Sequence, residues 1–433
     1  MKNKHILSCS QNGNPFLRFF TLTCILFLTA LAVSCNQDSI FADISVEPEP
    51  KDPRIEGSPV GLVEFNNKVW TAGRGSSKLH CYGDMGDATI GWLTRPSPGG
   101  AVISLGSTTD CLYVLAGNPV SGTLWKIDTS ENTENTENTI NITYGLSRIQ
   151  TIYTAGDKVF AGVSTSADNK TWSVYYAADT ATSWTLLMEN TSMLTGAAVD
   201  GAGNIYIATL GKGIFKFDFS SNPPMPGSAG DDGSPAAEAV VDKDDNPITT
   251  PKVRGIMNTG IGADSIVAVT SNGYILWYDN ANARFKVKSQ GGPYFSGAMT
   301  LWKRYDDGSA TWVPALILLG VQSSGTYNKG YREINVDSSG IPLDGASPVE
   351  PGSLASPAYS SIARSDRSKY EASLYKYSVV SIMQVSDAVQ PYPRDSQNTS
   401  VYVNPSGWQP LILASTVNAG LQSLENGLWN AEE

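Results

Sequence analysis

The chain has 433 residues, with 30 lysines and arginines against 41 aspartates and glutamates, which gives a formal net charge of −11 at pH 7. We do not expect a chain this acidic to bind nucleic acid or an anionic lipid surface, so its charge favours solubility or a cationic partner. Of its two histidines, His5 precedes the cleavage site predicted below, so His80 alone would remain in the mature chain, which excludes a multi-histidine metal centre.

The first 34 residues have the layout of a bacterial lipoprotein signal. Three basic residues and no acidic residue come first: Lys2, Lys4 and Arg18. The apolar run from Phe19 to Val33 is shorter than the roughly 20 residues that a membrane-spanning helix needs. It ends in Leu31-Ala32-Val33-Ser34-Cys35, which resembles a lipobox with Ala32 where leucine is commonest. The resemblance implies cleavage after residue 34 and acylation of Cys35, and an ordinary secretory signal is the alternative.

Residues 35–57 are interpreted as the lipidated cysteine and a flexible acidic tether. Low hydrophobicity and the sequence Glu47-Pro48-Glu49-Pro50 predict an extended segment. Loss of the three basic residues before Cys35 leaves 27 basic against 41 acidic residues, a balance of −14. Asn36 stands where some bacteria use Asp to retain lipoproteins in the inner membrane, so the sequence favours the outer membrane.

Residues 58–433 have the pattern of an all-β domain, because short β-branched and aromatic runs alternate with Gly, Asn, Asp and Ser. One unit recurs: a strand ending in small residues, a tight turn, and a second strand that often closes with Asp. The clearest copy runs from Asp200 to Asp218 and reads DGAGNIYIATLGKGIFKFD. Six further copies begin near Lys68, Cys111, Lys158, Ser265, Ala315 and Pro410.

The spacing of these copies predicts a β-propeller. Equivalent positions are 44 to 61 residues apart, except for the last two, which are 95 apart. Intervals of about 40 to 50 residues are typical of four-stranded blades. We therefore predict seven blades, with an eighth in the longest interval as the alternative. Residues 220–251 and 338–368 read as insertions, which we expect at the faces of the propeller or the mouth of its channel.

Three segments carry a family resemblance. The copy from Asp200 to Asp218 resembles the repeat of NHL-type and related extracytoplasmic propellers, and Asn426-Gly-Leu-Trp-Asn430 is similar to a strand opening in lipoprotein propellers of that kind. Residues 177–184 resemble a degenerate Asp-box of sialidase-like propellers, with Asp179 and Trp184 retained. The resemblance implies a fold and a location, and it brings no catalytic residue. Four aromatic residues are expected between blades: Trp125, Phe215, Trp277 and Trp429.

One segment offers oxygen ligands at alternating positions, as calcium loops do: Asp242-Lys-Asp244-Asp-Asn246. An EF-hand would need glycine in place of Pro247 and glutamate in place of Val253. We therefore interpret the segment as a solvated hairpin turn that could belong to a binding loop, and we predict no metal site. The Glu-Asn-Thr repeat of residues 131–139 predicts an exposed loop.

Two cysteines, Cys81 and Cys111, belong to the predicted domain. In an oxidising envelope they could form a disulfide, and buried free thiols in neighbouring blades are the alternative, since sequence does not give their separation. His80 and Cys81 are adjacent on a predicted strand, so their side chains should point to opposite faces and cannot pair in catalysis. Motifs of hydrolases, P-loop enzymes and metalloproteases are missing from the sequence, so we predict no catalytic residue and no cofactor.

These observations favour a non-catalytic, membrane-anchored propeller that binds a protein or glycan in the bacterial envelope. A glycosidase or lyase acting on extracellular polymer is the first alternative, and it would need carboxylates converging at the channel mouth. A small-ligand or metal sensor domain is the second.

Overall fold

The computed structural model describes residues 55, 57–84, 90–118, 121–128, 139–231, 233–249, 251–259, 265–290, 292–306, 311–322, 330–348, 374, 377–390, 410–425 and 428–431. They all belong to one compact unit, Asp52–Glu433. The predicted signal peptide, Cys35, the tether up to residue 54 and the Glu-Asn-Thr repeat up to residue 138 lie outside the described residues. No helix in the described part of the chain is long and apolar enough to span a membrane.

The first three blades are four-stranded antiparallel sheets. Blades two and three are linked into one sheet by a single bridge between Gly122 and Ile149. Blade one comprises β1 (Val63–Phe65), β2 (Lys68–Thr71), β3 (Lys78–Asp84) and β4 (Ile90–Pro96). Blade two comprises β5 (Val102–Ser107), β6 (Cys111–Asn118), β7 (Ser121–Asp128) and β8 (Ile140–Asn141). Blade three comprises β9 (Ile149–Ala155), β10 (Lys158–Ser164), β11 (Trp172–Ala178) and β12 (Thr185–Thr191).

The next four blades follow the same order, with two variations. Blade four comprises β13 (Leu194–Val199), β14 (Asn204–Thr209), β15 (Gly213–Asp218) and β16 (Met225–Pro226). Blade five comprises β18 (Val253–Asn258), β19 (Ile266–Thr270), β20 (Ile275–Asp279) and β21 (Arg284–Ser289), with β17 (Val240–Val241) added in parallel at its outer edge and a 3-10 turn, Asn280–Asn282, before β21. Blade six has three described strands, β22 (Phe295–Asp306), β23 (Thr311–Val321) and β24 (Tyr331–Asn335). Blade seven comprises β25 (Val379–Gln384), β26 (Ile412–Thr416), β27 (Gly420–Glu425) and β28 (Leu428–Ala431).

The seven blades form a ring. The first strand of each blade contacts the first strand of the next, in the order β1, β5, β9, β13, β18, β22 and β25, so these strands surround a common axis. Buried apolar clusters fill the spaces between blades; the cluster between blades four and five contains Tyr206, Ile256 and Phe285. The chain is therefore an all-β seven-bladed propeller, as predicted, and the described residues contain no eighth blade.

The ring closes between the first and last blades. The Leu62 N–H donates to Ser381 Oγ at 3.2 Å, and the Ser386 N–H donates to Glu64 Oε1 at 2.8 Å. The N–H groups of Gly420 and Leu421, the first residues of β27, donate to the carbonyls of Gly57 and Ile55. The chain before β1 therefore attaches to blade seven. These hydrogen bonds and a shared apolar cluster connect residues that are more than 300 positions apart in the sequence.

Every predicted repeat copy corresponds to the second and third strands of one blade. The first strand carries a second regularity, an extra residue near its start that makes a β-bulge. In blades two, three, four, five and seven one residue is skipped in the pairing: Ile103, Gln150, Thr195, Arg254 and Val380. The following residue is always Ser, Thr or Gly. Bulges bend a strand and redirect a side chain, so this feature shapes the entrance of the central channel.

The insertion of residues 220–251 lies at the outer rim, and not at the faces of the propeller or the mouth of its channel, where we expected it. It begins shortly before β16, the outermost strand of blade four, and ends beyond β17, which pairs with the outer edge of blade five. On the way, the Glu238 N–H donates to the Ile214 carbonyl of blade four, and the Ala239 carbonyl accepts from Phe285 of blade five. The insertion therefore joins two blades at the outer rim.

Candidate binding surfaces

The propeller has two faces, which we define by its turns. The first strand of each blade starts at the upper face, where the second-to-third-strand turns also lie. The lower face carries the first-to-second and third-to-fourth-strand turns. Because every blade repeats the same antiparallel order, a residue's place in the repeat fixes its face.

The upper face is basic. Seven exposed or half-buried cations lie in its described turns and at its described strand starts: Arg74, Lys78, Arg148, Lys170, Lys212, Lys252 and Arg254. Two exposed or half-buried carboxylates lie among them: Asp168, which pairs with Lys170 at 3.0 Å, and Glu64 near the start of β1, which accepts the Ser386 N–H. Arg74, Lys212 and Lys252 are exposed and have no carboxylate partner among the described residues. Two exposed tyrosines, Tyr144 and Tyr294, share this face.

The lower face is acidic. Aspartates close the third strand in most blades and occupy several first-to-second-strand turns: Asp84, Asp110, Asp128, Asp157, Asp179, Asp200, Asp218, Asp279 and Asp387. Asp179 and Asp200 are buried, and the other seven are exposed or half-buried. The cations Lys68 and Lys158 also lie at this face, and Lys158 pairs with Asp157 at 2.5 Å. The closing Asp recognised in the repeat thus becomes a ring of negative charge, opposite the basic face.

At the upper mouth of the channel, Arg148 is held in a defined position. Its φ of 61° turns the chain just before β9, and its Nη2 donates to the Ser166 carbonyl at 2.9 Å. Its Nε is buried without a hydrogen-bond partner, as is the Nε of Arg254 at the start of β18. Asn169 supports the same corner, since its Oδ1 accepts from Gln150 Nε2 at 3.0 Å. Two arginines therefore lie at the upper ends of first strands, the strands that surround the axis.

Asp179, from the Asp-box-like segment, bridges blades two and three. It accepts hydrogen bonds from Tyr113 Oη at 2.6 Å and Thr108 Oγ1 at 2.8 Å, and its backbone carbonyl accepts from Lys126 Nζ. Burial, together with this bond to a carboxylate, raises the pKa of Tyr113. Trp184 Nε1 donates to the Ile142 carbonyl of blade two at 2.8 Å. The two retained residues of the segment thus both connect neighbouring blades.

A second buried polar cluster joins blades four and five. The Tyr206 ring packs against the Tyr278 ring, with centroids 5.0 Å apart, and Lys216 Nζ lies 4.9 Å from the centre of the Tyr278 ring. Glu238, from the insertion, accepts from Ser228 Oγ at 3.1 Å. Burial raises the pKa of Glu238, and burial with the Glu238 charge raises the pKa of Tyr278 to about 12. The cluster holds the insertion against the blades.

Asp242, Asp244 and Asn246 form a tight turn at the outer rim. Asp242 Oδ1 accepts from the N–H groups of Asp244 and Asn246 at 2.8 Å, and the Asn246 side chain also donates to the carboxylate. These bonds, the one from the Asn246 side chain foremost, hold the pKa of Asp242 below its usual range. The neighbouring Asp245 pairs with Arg284 at 2.8 Å. The described residues contain no cluster of three or more ligating groups suited to a metal.

The same turn occurs twice more. Asp200 accepts from the N–H groups of Ala202 and Asn204, and Asp337 accepts from those of Ser339 and Ile341. In each turn the aspartate satisfies backbone donors two and four positions ahead, so its main role is to fix the turn. The Asp337 turn opens the second insertion, and the Ser339 carbonyl accepts from Thr259 Oγ1 of blade five.

Cys81 and Cys111 are both free and buried. Cys81 packs in the cluster between blades one and two, and Cys111 packs in the cluster between blades two and three, so the sheet of blade two separates them. Burial raises the pKa of Cys111 to about 11 and that of Cys81 above its ordinary value. His80 Nδ1 lies 3.0 Å from Thr94 Oγ1.

The predicted inter-blade aromatics are placed as follows. Trp125 packs on the cluster between blades one and two, and Phe215 is buried in the cluster between blades three and four. Trp277 lies under Lys288, with Nζ 4.6 Å from its ring centre. The side chain of Trp429 lies outside the described set.

Comparison with known proteins gives structural neighbours of low similarity. No protein-family model matches the sequence, and no curated protein matches it significantly. PorZ, an essential bacterial surface component of the type-IX secretion system of Porphyromonas gingivalis, aligns at a TM-score of 0.45 and 11% identity, over 88% of this chain and 39% of that chain. The chain therefore spans about two fifths of PorZ. The WD40 β-propeller domain of Doa1 aligns at 0.45 and 12%, over 89% and 96% of the two chains. The propeller assignment rests on the sheet topology described above.

Proposed function

We propose that this chain is a lipid-anchored, NHL-like propeller that acts as a non-catalytic binding or scaffold module in the bacterial envelope, with the outer membrane as its location. Lipidation of Cys35 would hold it there, and the segment before residue 58 would serve as the tether. The observation that carries the binding role is the separation of charge onto two faces of one closed ring.

A rigid ring with different faces suits a scaffold. Loops held by a packed framework present side chains in fixed positions, which lowers the entropy cost of binding. The acidic lower face, which includes exposed Asp110 and Asp218, favours a protein partner with a basic surface over an anionic glycan. We therefore propose the lower face as the surface that would bind a cationic partner.

The charges at the upper mouth favour binding over a glycosidase or lyase. Such an enzyme needs paired carboxylates around the scissile bond. Arg148 and Arg254 lie at the upper ends of two described first strands, and the carboxylate of Glu64 on β1 accepts the Ser386 N–H. For the sensor alternative, calcium-dependent thermal stabilisation would be the supporting result.

Site-specific photocrosslinking in intact envelopes tests the binding role. A photoreactive residue at Asp110 on the lower face should give a discrete protein adduct, and one at Asp242 on the outer rim serves as the control. Loss of the Asp110 adduct on conversion of Asp218 to Asn would support recognition by charge. Equal adducts at both positions, or none at Asp110, would contradict the proposed binding surface.

A further inference from the structure

We infer that the basic upper face rests on the anionic phosphate headgroups of the membrane that holds the anchor; this rests on the proposed lipidation of Cys35. The sequence alone led to the opposite expectation, because its net charge is strongly negative. The fold changes that expectation by collecting cations on one side and carboxylates on the other.

The chain enters the domain at this same face. Gly57 and Ser58 bond to the turn between β26 and β27, since the Gly57 carbonyl accepts from Gly420 and Ser58 Oγ accepts from the Asn418 N–H. That turn belongs to the upper face. About 20 residues separate Cys35 from Ile55, and an extended proline-rich chain of that length spans at most about 60 Å. An anchor at Cys35 would therefore attach the domain to the membrane from the side of its upper face.

The acidic face is too distant to cancel this attraction. A seven-residue strand such as β9 spans about 23 Å, which approximates the thickness of the ring. The Debye length at physiological ionic strength is about 8 Å, so nearly three Debye lengths would separate the lower carboxylates from the membrane, and salt would screen most of their repulsion. The membrane would interact mainly with the upper cations.

The distribution of the cations fits an extended surface better than a compact ligand. Arg74 lies on blade one, Lys212 on blade four and Lys252 at the start of blade five, and all three are exposed without a described carboxylate partner. Exposed Tyr144 and Tyr294 add amphipathic rings to the same face, and tyrosine favours sites where one end is apolar and the other hydrated. Cations spread around a ring can contact a plane together, but they cannot converge on one small anion.

Vesicle binding of the lipid-free mature chain, with Cys35→Ala, tests the inference. We expect salt-sensitive binding to phosphatidylcholine vesicles that contain phosphatidylglycerol and little binding to phosphatidylcholine alone. The combined change Arg74→Gln, Lys212→Gln and Lys252→Gln should weaken binding on the order of 100-fold, from roughly fivefold per cation near the surface.

The matched control removes three positive charges elsewhere: Lys68→Gln, Lys158→Gln and Lys243→Gln. It should weaken binding less than about threefold, because these residues lie at the lower face and the outer rim. Unchanged thermal unfolding midpoints would verify that both variants fold.

Three results would overturn the inference: equal losses in both triple variants, no preference for anionic vesicles, or binding of soluble polyglutamate without binding of vesicles. The last would identify an acidic polymer as the occupant. Because Cys35 is replaced, the outcome does not depend on lipidation, which is tested separately through the mass of the N-terminal peptide.

Discussion

Replacement of Asp179 by Ala should destabilise the propeller strongly, although the residue lies in a turn. Its carboxylate is the acceptor for two donors from the preceding blade, Tyr113 Oη at 2.6 Å and Thr108 Oγ1 at 2.8 Å. Tyr113 has no exposed surface, and Thr108 is 7% exposed. Water therefore cannot readily replace the lost acceptor. The Tyr113 hydroxyl would lose its carboxylate acceptor, whereas the Thr108 hydroxyl would keep its bonds to the Cys111 N–H at 3.1 Å and the Cys111 carbonyl at 3.5 Å.

The expected cost follows from these two donors. A buried polar group left without its hydrogen bond costs about 1–3 kcal/mol, and Thr108 keeps a weaker donor bond to Cys111, so Asp179→Ala should lower the free energy of unfolding by about 1–4 kcal/mol. Asp179→Asn keeps an oxygen acceptor and should cost less. Tyr113→Phe removes a donor together with its need for a partner, so we expect a loss of about 1 kcal/mol.

Urea denaturation followed by tryptophan fluorescence measures these values, and a double-mutant cycle isolates the contact. Combining Tyr113→Phe with Asp179→Ala should cost less than the sum of the single changes by about 1 kcal/mol or more. If Asp179→Ala costs under about 1 kcal/mol, or if the two changes add within about 0.5 kcal/mol, the reasoning about this bridge between blades is wrong.

Three further predictions concern the interior. Burial raises the pKa of Glu238 above 4.5, so the folded state binds the Glu238 proton more tightly than the unfolded state does. The free energy of unfolding therefore falls as the pH rises above 4.5. Urea titrations should show that Glu238→Gln stabilises the protein at pH 7 and has little effect at pH 4. Gly255→Ala would place a Cβ 2.8 Å from Gly297 Cα, so calorimetry should show a loss of unfolding free energy of about 1–3 kcal/mol. Gly211→Ala is the control, because its Cβ would lie 3.5 Å from Ser192. This change should alter the free energy of unfolding by under about 0.5 kcal/mol. Cys81 and Cys111 should react with a thiol reagent only after unfolding, and reductant should leave the melting temperature unchanged; labelling of the native protein or a disulfide-linked peptide would contradict this.

The repeat in the sequence predicted the second and third strands of every blade, because these strands are the most apolar and end at recognisable turns. The Thr209 hydroxyl illustrates why the second strand ends in a small residue: it donates to the Gly213 carbonyl four positions later and closes the tight turn. The first strands were harder to recognise. They carry a bulge that breaks the alternation of buried and exposed residues, and their sequences range from Leu194-Thr-Gly to Val253-Arg-Gly.

The two faces could have been derived from the sequence once the repeat was aligned. The closing aspartates, such as Asp128 and Asp218, occupy the same position in successive copies, so one turn type had to be acidic. The net charge gives no sign of this separation, because it is the sum of the charges on both faces. The position of the insertion after β16 depends on the pairing of its strand β17 with β21. These two strands are far apart in the sequence, so no local sequence pattern predicts their pairing.

The measurement that tests the account most directly is the intact mass and fragmentation of the N-terminal peptide from protein extracted from native membranes. We predict that the mature chain begins at Cys35 and that this residue carries a thioether-linked diacylglycerol. An N-terminus at another residue, or an unmodified Cys35, would contradict a lipid-anchored propeller that sits on the membrane through its basic face.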